Sequence, residues 1–410
     1  MPKLSRTLTV VIVGVSIVSL FDEHECTLSK SSKTSKQTQK ETRASGTVGG
    51  ATVASSSKTA TLRGEAATAG AGLTAQEVLK NHHRLEFTGE KKFPNAVLGY
   101  VTPWNNRGYD LAKWQAQKFT LISPVWFQIT PVREPPGTCS IAGSHDIDRD
   151  WVASVRQNNT HIKIVPRFLF DKWLPMDFMR AFNDALEQER CGSVIVDFIQ
   201  RNEFDGGVVE VWMQVMTMSQ GQAAKDLVHF VINLAEYFRA RHLLFIAPVP
   251  PPLGPSYQEN GMFTVSQFKA ILPFVDYINV MTYDFPDRKI GPLAPIEWVR
   301  RCMEYLLKAE QSYAAHLLMG VNFYGHEQKS DAAQIESITG ARYLEVLKAK
   351  NPTIHWQKNA AEHYVKTGTQ TIFFPSLASV EARLSLAKEL DVGVGIWDCG
   401  QGLDYFYNLF

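Results

Sequence analysis

The chain has 410 residues, of which 45% are hydrophobic and 20% are charged. This composition is typical of a globular protein with a sizeable core and excludes a chain that is disordered throughout. The 42 lysines and arginines balance 41 aspartates and glutamates, which gives a formal net charge of +1. A chain with so little net charge has no field that attracts phosphate backbones, so nucleic acid is not an expected partner.

The first residues have the pattern of a secretory signal peptide. Lys3 and Arg6 precede the apolar run Leu8–Phe21, which is shorter than the ~20 residues that a membrane-spanning helix needs. We predict a signal peptide over residues 1–26, with an uncleaved anchor as the alternative because no clear small-x-small cleavage site follows. The protein would then be secreted, lysosomal or both, with no stable membrane span after cleavage.

Residues 27–73 are rich in Ser, Thr, Lys, Ala and Gly and contain almost no large apolar side chain. Such a segment cannot bury enough apolar surface to offset the entropy of ordering it. We therefore predict a disordered linker between the signal peptide and a folded domain over residues 74–410.

Secretory entry agrees with the cysteines and with one sequence motif. The cysteines Cys26, Cys139, Cys191, Cys302 and Cys399 show no CxxC spacing, so no zinc or redox motif is indicated. They leave disulfides open, without a pairing. The triplet Asn158-Asn159-Thr160 is a usable N-glycosylation motif if the chain enters the secretory pathway.

From a short helical pattern at 75–85 onward, apolar β-type runs alternate with amphipathic helices such as Ala223–Arg241. This alternation predicts parallel strands with crossover helices, an α/β fold. The strand candidates are Ala96–Val101, Phe119–Phe127, Ile162–Phe170, Gly206–Met213, Leu243–Val249, Tyr277–Tyr283, Leu317–Phe323 and Val392–Trp397. They number eight, as in a (β/α)8 TIM barrel.

The connection between the seventh and eighth strand candidates is about twice as long as one crossover requires. It contains a helix pattern at Gly340–Lys350, short strands at Ile354–Trp356 and Thr371–Phe374, and a second helix at Val380–Leu390. We predict a small α+β insertion over about residues 326–391, on the barrel face where sites are built.

The carboxyl ends of the predicted strands carry mainly aromatic and acidic or amide side chains. Aromatic faces pack against the C–H-rich faces of sugars, and neighbouring carboxylates and amides bind hydroxyl or acetamido groups. This composition favours a saccharide site, although single members of the set could equally be core residues. The predicted saccharide-binding residues are Tyr100, Trp104, Trp126, Glu210, Trp212, Met281, Tyr283, Asp284, Asn322, Tyr324 and Trp397.

These segments resemble glycoside hydrolase family 18. The stretch FDGGVVEVW, Phe204–Trp212, is similar to the family signature Asp-Gly-x-Asp-x-Asp-x-Glu on the fourth strand. Further similar segments lie in the same order along residues 95–410: VLGYVTPW (97–104), VMTYDF (280–285), LLMGVNFYG (317–325) and VGIWDCGQGLDYF (394–406). The resemblance implies a TIM barrel, chitin-like substrates and no cofactor. Within the family it is greatest to chitinase-like lectins, which implies an oligosaccharide ligand and a scavenger-type (stabilin-like) receptor as partner.

The signature is altered where the family's chemistry takes place. Asp205 and Gly206 match it, but Val208 stands at its second Asp, Glu210 at its third, and Trp212 at the terminal Glu. By the resemblance, that Glu is the general acid, and the acetamido carbonyl of the substrate is the nucleophile. An indole N–H cannot donate a proton at working pH, and general-acid catalysis contributes about 10²–10⁴-fold to rate.

We therefore expect no enzyme activity, and no catalytic residue is assigned. Because strand residues alternate between faces, we expect Val208, Glu210 and Trp212 to share one side, with Glu210 deeper than the lost acid and Trp212 filling the space above it. Two alternatives remain open: a divergent glycosidase that uses Glu210 or Asp284, and a protein-interaction scaffold with a blocked cleft. The expected ligands are N-acetylglucosamine oligosaccharides or bacterial cell-wall or lipopolysaccharide glycans.

No metal site is expected. The acidic repeat Asp146-x-Asp148-x-Asp150 lacks the glycine and the final glutamate of a calcium loop, so we predict the start of a helix instead. The pair His82-His83 lacks the spacing of two helical metal ligands and is predicted to lie on the surface.

Overall fold

The structure, a computed structural model, describes residues 72–134, 136–287 and 289–410. The predicted signal peptide and nearly all of the predicted linker lie outside these ranges. Within them, no helix combines the length and the apolarity that a membrane crossing requires.

The strands are β1 (Val97–Val101), β2 (Leu121–Pro124), β3 (Phe127–Arg133), β4 (Pro136–Ala142), β5 (Lys163–Ile164), β6 (Arg167–Phe170), β7 (Gly206–Glu210), β8 (Leu244–Val249), β9 (Tyr277–Val280), β10 (Leu317–Asn322), β11 (Gly325–Lys329), β12 (Glu336–Ile338), β13 (Ile354–Gln357), β14 (Glu362–Lys366), β15 (Gln370–Phe373) and β16 (Gly393–Trp397).

The helices are α1 (Ala75–Asn81), α2 (Arg107–Trp114), α3 (Arg149–Asn158), α4 (Pro175–Asn183), α5 (Ala185–Arg201), α6 (Trp212–Met218), α7 (Ala224–Ala240), α8 (Val265–Ile271), α9 (Ile296–Leu307), α10 (Gly340–Lys350) and α11 (Leu377–Glu389).

The predicted (β/α)8 barrel is confirmed. One 11-stranded sheet has the order β4-β3-β6-β7-β8-β9-β10-β16-β1-β2-β5. Strands β2 and β3 are halves of the predicted second strand, and β5 and β6 are halves of the third. Because β2 pairs with β5 while β3 pairs with β6, the sheet closes into eight positions, all joined by parallel pairing.

Four predicted strands differ from the observed ones by more than one residue, and one of them, Tyr277–Tyr283, ends early at Val280. The predicted strands Phe119–Phe127 and Ile162–Phe170 are each interrupted, the second at Pro166, which has no N–H for the ladder. The predicted strand Gly206–Met213 ends early at Glu210, because Val211 leaves the extended conformation (φ −140°, ψ −24°) and α6 begins at Trp212.

Apolar side chains form two layers on either side of the barrel wall. The inner layer fills the lumen with Leu98, Leu121, Val165, Val208, Ile246 and Leu318. The outer layer lies between the strands and the surrounding helices and contains most of the buried aromatic side chains. Burial of both layers is the main favourable contribution to stability.

Between β10 and β16 lies a second sheet of five antiparallel strands in the order β12-β11-β15-β14-β13. Its strands β13 and β15 correspond to the two short strands predicted from the sequence, and α10 has the predicted bounds. Strands β11, β12 and β14 are not among the predicted elements. The sheet follows the seventh barrel strand and therefore stands at the carboxyl face of the barrel.

A disulfide joins Cys139 on β4 to Cys191 on α5, across 52 residues of sequence. Cys302 and Cys399 are buried free thiols. The acidic repeat begins a helix as predicted, since Asp148 accepts the N–H of Trp151 at 2.8 Å at the start of α3. In the described ranges, no group of three or more His, Cys, Asp or Glu side chains is placed to hold a metal.

Candidate functional site

A polar layer lies directly above the apolar floor of the lumen. Strand side chains alternate between faces, so the residue two positions beyond each floor residue also points inward. Tyr100 follows Leu98, Arg167 follows Val165 and Glu210 follows Val208 in this way. With Asn279 on β9 and Trp397 on β16, these side chains form what we call the lumen cluster: Tyr100, Arg167, Glu210, Asn279 and Trp397.

An ion pair stands at the centre of this cluster. Nε of Arg167 donates to Oε2 of Glu210 at 2.5 Å. The guanidinium carbon also lies 5.8 Å from the ring centroid of Trp397, within cation–π distance. Nη1 and Nη2 of Arg167 donate to no residue in the described part of the chain. Since the side chain is 13% exposed, this donor fork is open to a ligand.

Tyr100 and Asn279 form the buried side of the cluster. Nδ2 of Asn279 donates to the Tyr100 hydroxyl at 3.1 Å, and the Tyr100 ring packs edge-on against Trp397 with centroids 5.1 Å apart. Burial, reinforced by the nearby charge of Glu210, raises the pKa of Tyr100 well above its usual value. The hydroxyl therefore keeps its proton and can donate a hydrogen bond to a ligand.

Gly395 on β16 allows Asn279 to approach the strand closely. A Cβ at position 395 would lie 2.3 Å from Oδ1 of Asn279, so any other residue would displace that amide. The same Oδ1 is buried without a hydrogen-bond partner among the described residues. A buried amide oxygen in this state favours an approaching donor.

The rim of the cleft combines residues from β9, β10 and the inserted sheet. The hydroxyl of Tyr324 donates to Oδ1 of Asp284, and Nε2 of His326 on β11 lies 3.6 Å from the same oxygen. Burial lowers the pKa of His326 despite the opposing effect of Asp284, which favours a neutral imidazole at pH 7. Tyr283 packs on Tyr324 with centroids 6.2 Å apart, and its hydroxyl makes no hydrogen bond within the described ranges.

A buried ion pair connects the inserted sheet to this rim. Glu362 on β14 accepts Nη2 of Arg383 at 2.8 Å and the N–H groups of Leu293 and Ala294 at 3.0 and 2.7 Å. The carbonyl of Leu293 accepts the N–H of Phe285, the residue after Asp284, at 2.8 Å. The position of Asp284 thus depends on a carboxylate in the insertion.

Asp398 holds two loops of the carboxyl face together. Its Oδ2 accepts the hydroxyl of Thr102 and Nδ2 of Asn105, both at 2.8 Å, and its Oδ1 accepts the N–H of Gly400 at 2.7 Å. The loop so held carries Trp104, whose ring is 61% exposed. Trp104 therefore stands on a fixed loop next to the end of the eighth barrel strand.

Two predicted saccharide-binding tryptophans do not face the cleft. Trp126 is fully buried in the outer layer, where its N–H donates to the hydroxyl of Tyr109 at 2.7 Å. Its neighbour Val125 points into the lumen, so alternation sends Trp126 outward. The predicted sugar contact of Trp126 is wrong for this conformation.

Trp212 is the second correction. Its ring is 2% exposed and packs edge-on against Phe263, and its N–H donates to the carbonyl of Met262 at 2.8 Å. The expectation that it shares a face with Val208 and Glu210 fails, because the strand ends at Glu210. Trp212 packs in the wall behind the cleft and does not cover Glu210, whose carboxylate pairs with Arg167 instead.

The other predicted positions have mixed surroundings. Asn322 is buried, and its Nδ2 donates to the carbonyl of Tyr324 at 2.9 Å, so it shapes the turn below the rim. Met281 is half-buried beside the rim. Asp205 lies at the opposite barrel end, where it accepts the N–H of Ile164 at 2.8 Å. Gly206 allows a close strand approach, since a Cβ there would lie 2.1 Å from the carbonyl oxygen of Leu244.

Residues 96–402 match the family model described as glycosyl hydrolases family 18. The chain belongs to this family. A curated relative, a cortical fragment-lytic enzyme of Bacillus anthracis, is 23% identical over 164 residues, which cover 36% of this chain and 37% of the relative. The match thus spans little more than a third of that relative.

Solved structures agree on the fold. A chitinase from Chromobacterium violaceum superposes with a TM-score of 0.64 at 18% identity, covering 77% of this chain and 97% of that one. The spore cortex-lytic enzyme of Bacillus megaterium gives 0.61 at 18% identity, covering 77% and 73%. A mutant plant class V chitinase from Cycas revoluta, in complex with (GlcNAc)3, gives 0.64 at 16% identity, covering 76% and 97%.

Four residues of the cleft and its support are absent from the predicted set: Arg167, Asn279, His326 and Asp398. Arg167 had a usable signal, because it is one of only two charges in the apolar run Ile162–Phe170, and a charge buried there requires a partner. The other three depend on contacts between distant segments. Local sequence patterns do not encode those contacts.

Proposed function

We propose that this protein binds N-acetylglucosamine-containing oligosaccharides without hydrolysing them. The observation that carries the proposal is the residue at the position of the family's general acid, Trp212, whose indole is buried and donates to a backbone carbonyl. The side chain at this position can neither supply a proton nor reach a ligand.

The nearest carboxylate is poorly suited to replace the acid. Oε2 of Glu210 is occupied by the guanidinium of Arg167 at 2.5 Å. A carboxylate in a charge-assisted hydrogen bond acts as an acceptor and has no proton for a leaving oxygen. Asp284 is more exposed, but Tyr324 already donates to one of its oxygens.

Saccharide binding is supported by the polar atoms left free in the cleft. The Nη groups of Arg167 and the hydroxyl of Tyr283 have no hydrogen-bond acceptor among the described residues. Trp397 and Trp104 provide aromatic surface. An acetamido carbonyl or a ring hydroxyl fits such donors, while the ring's C–H face fits the indoles. The binding of (GlcNAc)3 by the plant chitinase supports this ligand class, and the cortex-lytic relatives support bacterial cell-wall glycans.

We further propose that the protein acts in the secretory or endolysosomal system, as chitinase-like lectins do, with a scavenger-type receptor among its partners. The disulfide Cys139–Cys191 supports this setting, because such bonds form and persist mainly in oxidising compartments. Co-precipitation with the ectodomain of a stabilin-like receptor tests the partner, and loss of capture at physiological salt would reject it.

The absence of catalysis is tested with chitin oligomers and peptidoglycan fragments under prolonged incubation. We expect no product from the wild type or from Glu210→Gln. Turnover that is lost in Glu210→Gln or in Asp284→Asn would establish the alternative, a divergent glycosidase.

Binding is tested by a glycan array, followed by calorimetry with chitotetraose. We expect saturable binding that Trp397→Ala weakens about tenfold, since one aromatic contact contributes up to about 1.5 kcal/mol. Trp114→Ala is the matched control, because Trp114 is exposed but lies at the far end of α2. No binding by the wild type would favour a scaffold that acts through protein contacts alone.

A further inference from the structure

The only usable glycosylation motif of the sequence, Asn158-Asn159-Thr160, lies at the end of α3. Asn158 is the last residue of the helix and its side chain is exposed. Thr160, the third residue of the motif, is exposed as well. The position is therefore open to a large hydrophilic substituent on the folded surface.

The adjacent Asn159 shows why Asn158 is the residue that projects. Asn159 is buried, and its Nδ2 donates to the carbonyls of Ala116 and Phe119 at 2.9 and 3.1 Å. Its Oδ1 accepts the N–H of His161 at 3.0 Å. Two bonds to the segment before β2 and one local bond fix this part of the chain and hold the preceding residue at the surface.

The one side-chain contact of Asn158 survives modification. Its Nδ2 donates a single hydrogen bond, to the carbonyl of Lys113 at 2.9 Å. An asparagine amide has two N–H groups, and glycosylation replaces only one of them. The remaining N–H can keep the bond to Lys113, so the folded state accepts the glycan without losing a contact.

The barrel separates this site from the cleft. Helix α3 runs antiparallel to the strands and precedes β5, so its last residue stands at the amino ends of the strands. Glu210 and Trp397 stand at the carboxyl ends of β7 and β16. A glycan at Asn158 would therefore leave the cleft open.

We propose that Asn158 carries an N-linked glycan. The chemical step is attack of Nδ2 on the anomeric carbon of a lipid-linked oligosaccharide diphosphate in the secretory pathway. A C–N bond forms, the bond from that carbon to the diphosphate oxygen breaks, the lipid diphosphate leaves with the bonding electron pair, and a base of the transferase takes up the amide proton. The disulfide Cys139–Cys191 independently supports passage through the compartment where this donor is found.

The location has a consequence for a protein that binds N-acetylglucosamine. The core of an N-glycan contains this sugar, so a glycan beside the cleft would compete with external ligands on the same molecule. A glycan on the opposite barrel face cannot reach the cleft of its own chain. This point rests on the proposed function, whereas the modification itself does not.

The test is expression of the full chain in cultured eukaryotic cells, followed by treatment with an amidase that removes N-glycans. We expect one step in gel mobility on treatment, with aspartate at position 158 in the peptide mass spectrum. Asn158→Gln and Thr160→Ala should abolish the step. Chitotetraose binding should be the same before and after treatment, and binding that rises on treatment would reject the separation from the cleft.

The chain offers a matched control at Asn351-Pro352-Thr353, where proline blocks an otherwise complete motif at an exposed asparagine. Pro352→Ala should add a second step in gel mobility. A glycan at Asn351 of this variant but none at Asn158 would overturn the proposal at the site. No glycan at either position would show that the chain does not enter the compartment where N-glycosylation takes place, and this result would also overturn the proposal. Neither result depends on whether the cleft binds saccharide.

Discussion

Position 212 offers a direct test of how the strand ends. Glu introduced at Trp212 would lie behind the cleft, where the indole now packs on Phe263. We expect Trp212→Glu to lower the free energy of unfolding by about 3–5 kcal/mol and to restore no hydrolysis of chitotetraose. Denaturant unfolding and a product assay measure the two effects.

The conservative control is Trp212→Phe, which keeps most of the packing and loses the hydrogen bond to Met262. Its expected cost is about 1 kcal/mol for that bond, plus a smaller packing loss. Hydrolysis by a stable Trp212→Glu variant would show that residue 212 can face the cleft.

Arg167 should determine a large part of the saccharide affinity. Removing its Nη fork in Arg167→Met should weaken chitotetraose binding about tenfold, a loss of about 1.4 kcal/mol. Because this change also leaves Glu210 unpaired, the double variant Arg167→Met/Glu210→Gln should be measured alongside it by calorimetry. Arg300→Met is the control, since Arg300 pairs with Glu389 at 2.6 Å on the outer helices. Equal affinities in all four proteins would remove Arg167 from the binding site.

The sequence predicted the direction of a side chain correctly where the backbone stays regular, and incorrectly where it does not. Glu210 was correctly expected in the lumen, because strand alternation holds as far as that residue. Trp212 was misplaced because Val211 departs from the extended conformation. The valine-rich run VVEVW does not predict that departure. Trp126 was misplaced because its inward-facing neighbour Val125 determines its direction.

Among the elements, the inserted sheet is connected to the cleft through Glu362 and Arg383. Burial raises the pKa of Glu362 and lowers that of Arg383, so each depends on the other to stay charged. Glu362→Gln leaves a buried guanidinium unpaired and should lower the free energy of unfolding by about 3–5 kcal/mol. Hydrogen exchange at the amides of Phe285 and Leu293 should accelerate, because the Gln amide has one acceptor oxygen for the two N–H groups that Glu362 now accepts.

The same sheet provides the control for this prediction. Glu327 on β11 pairs with Arg342 at 2.9 Å, and neither makes a hydrogen bond to the segment that follows β9. Arg342→Gln should destabilise the protein less, since its side chain is 40% exposed. It should leave exchange at Phe285 unchanged. Equal acceleration in both variants would indicate general loosening of the inserted sheet.

The inserted sheet was the hardest element to predict. Its strand β14 begins with Glu362 and His363, two polar residues that are buried in the structure. A sequence pattern assigns such residues to a loop, because their burial depends on partners far along the chain. The helix α7 was predicted to within one residue at each end, since its apolar stripe faces the barrel along its whole length.

For the whole molecule, the closed barrel was predictable because each strand and helix pair carries its own local signal. The pairing of β2 with β5 was harder to predict, because the second and third predicted strands are both interrupted, and at the same height in the barrel. The disulfide was not predictable, because Cys139 and Cys191 come together only when the β3–β4 hairpin packs against α5. A cysteine count allows several pairings, and the fold selects one.

That disulfide should contribute measurably to stability. It closes a segment of 52 residues, for which loss of unfolded-state entropy gives about 4 kcal/mol. Cys139→Ser/Cys191→Ser should therefore lower the free energy of unfolding by about 2–4 kcal/mol in urea. A reductant should destabilise the wild type and leave the double variant unchanged. A wild type that is insensitive to reductant in the unfolding experiment would show that the bond contributes little.

The unequal burial of the tryptophans gives the molecule an internal optical reporter. Trp126, Trp212 and Trp298 are at most 2% exposed, so a water-borne quencher such as iodide cannot reach their fluorescence. Trp104, on the loop after β1, and Trp114, at the far end of α2, are accessible. A bound oligosaccharide should therefore protect only part of the quenchable emission. Trp104→Phe should reduce that protected part, to which the half-buried Trp397 also contributes, while Trp114→Phe should leave it intact.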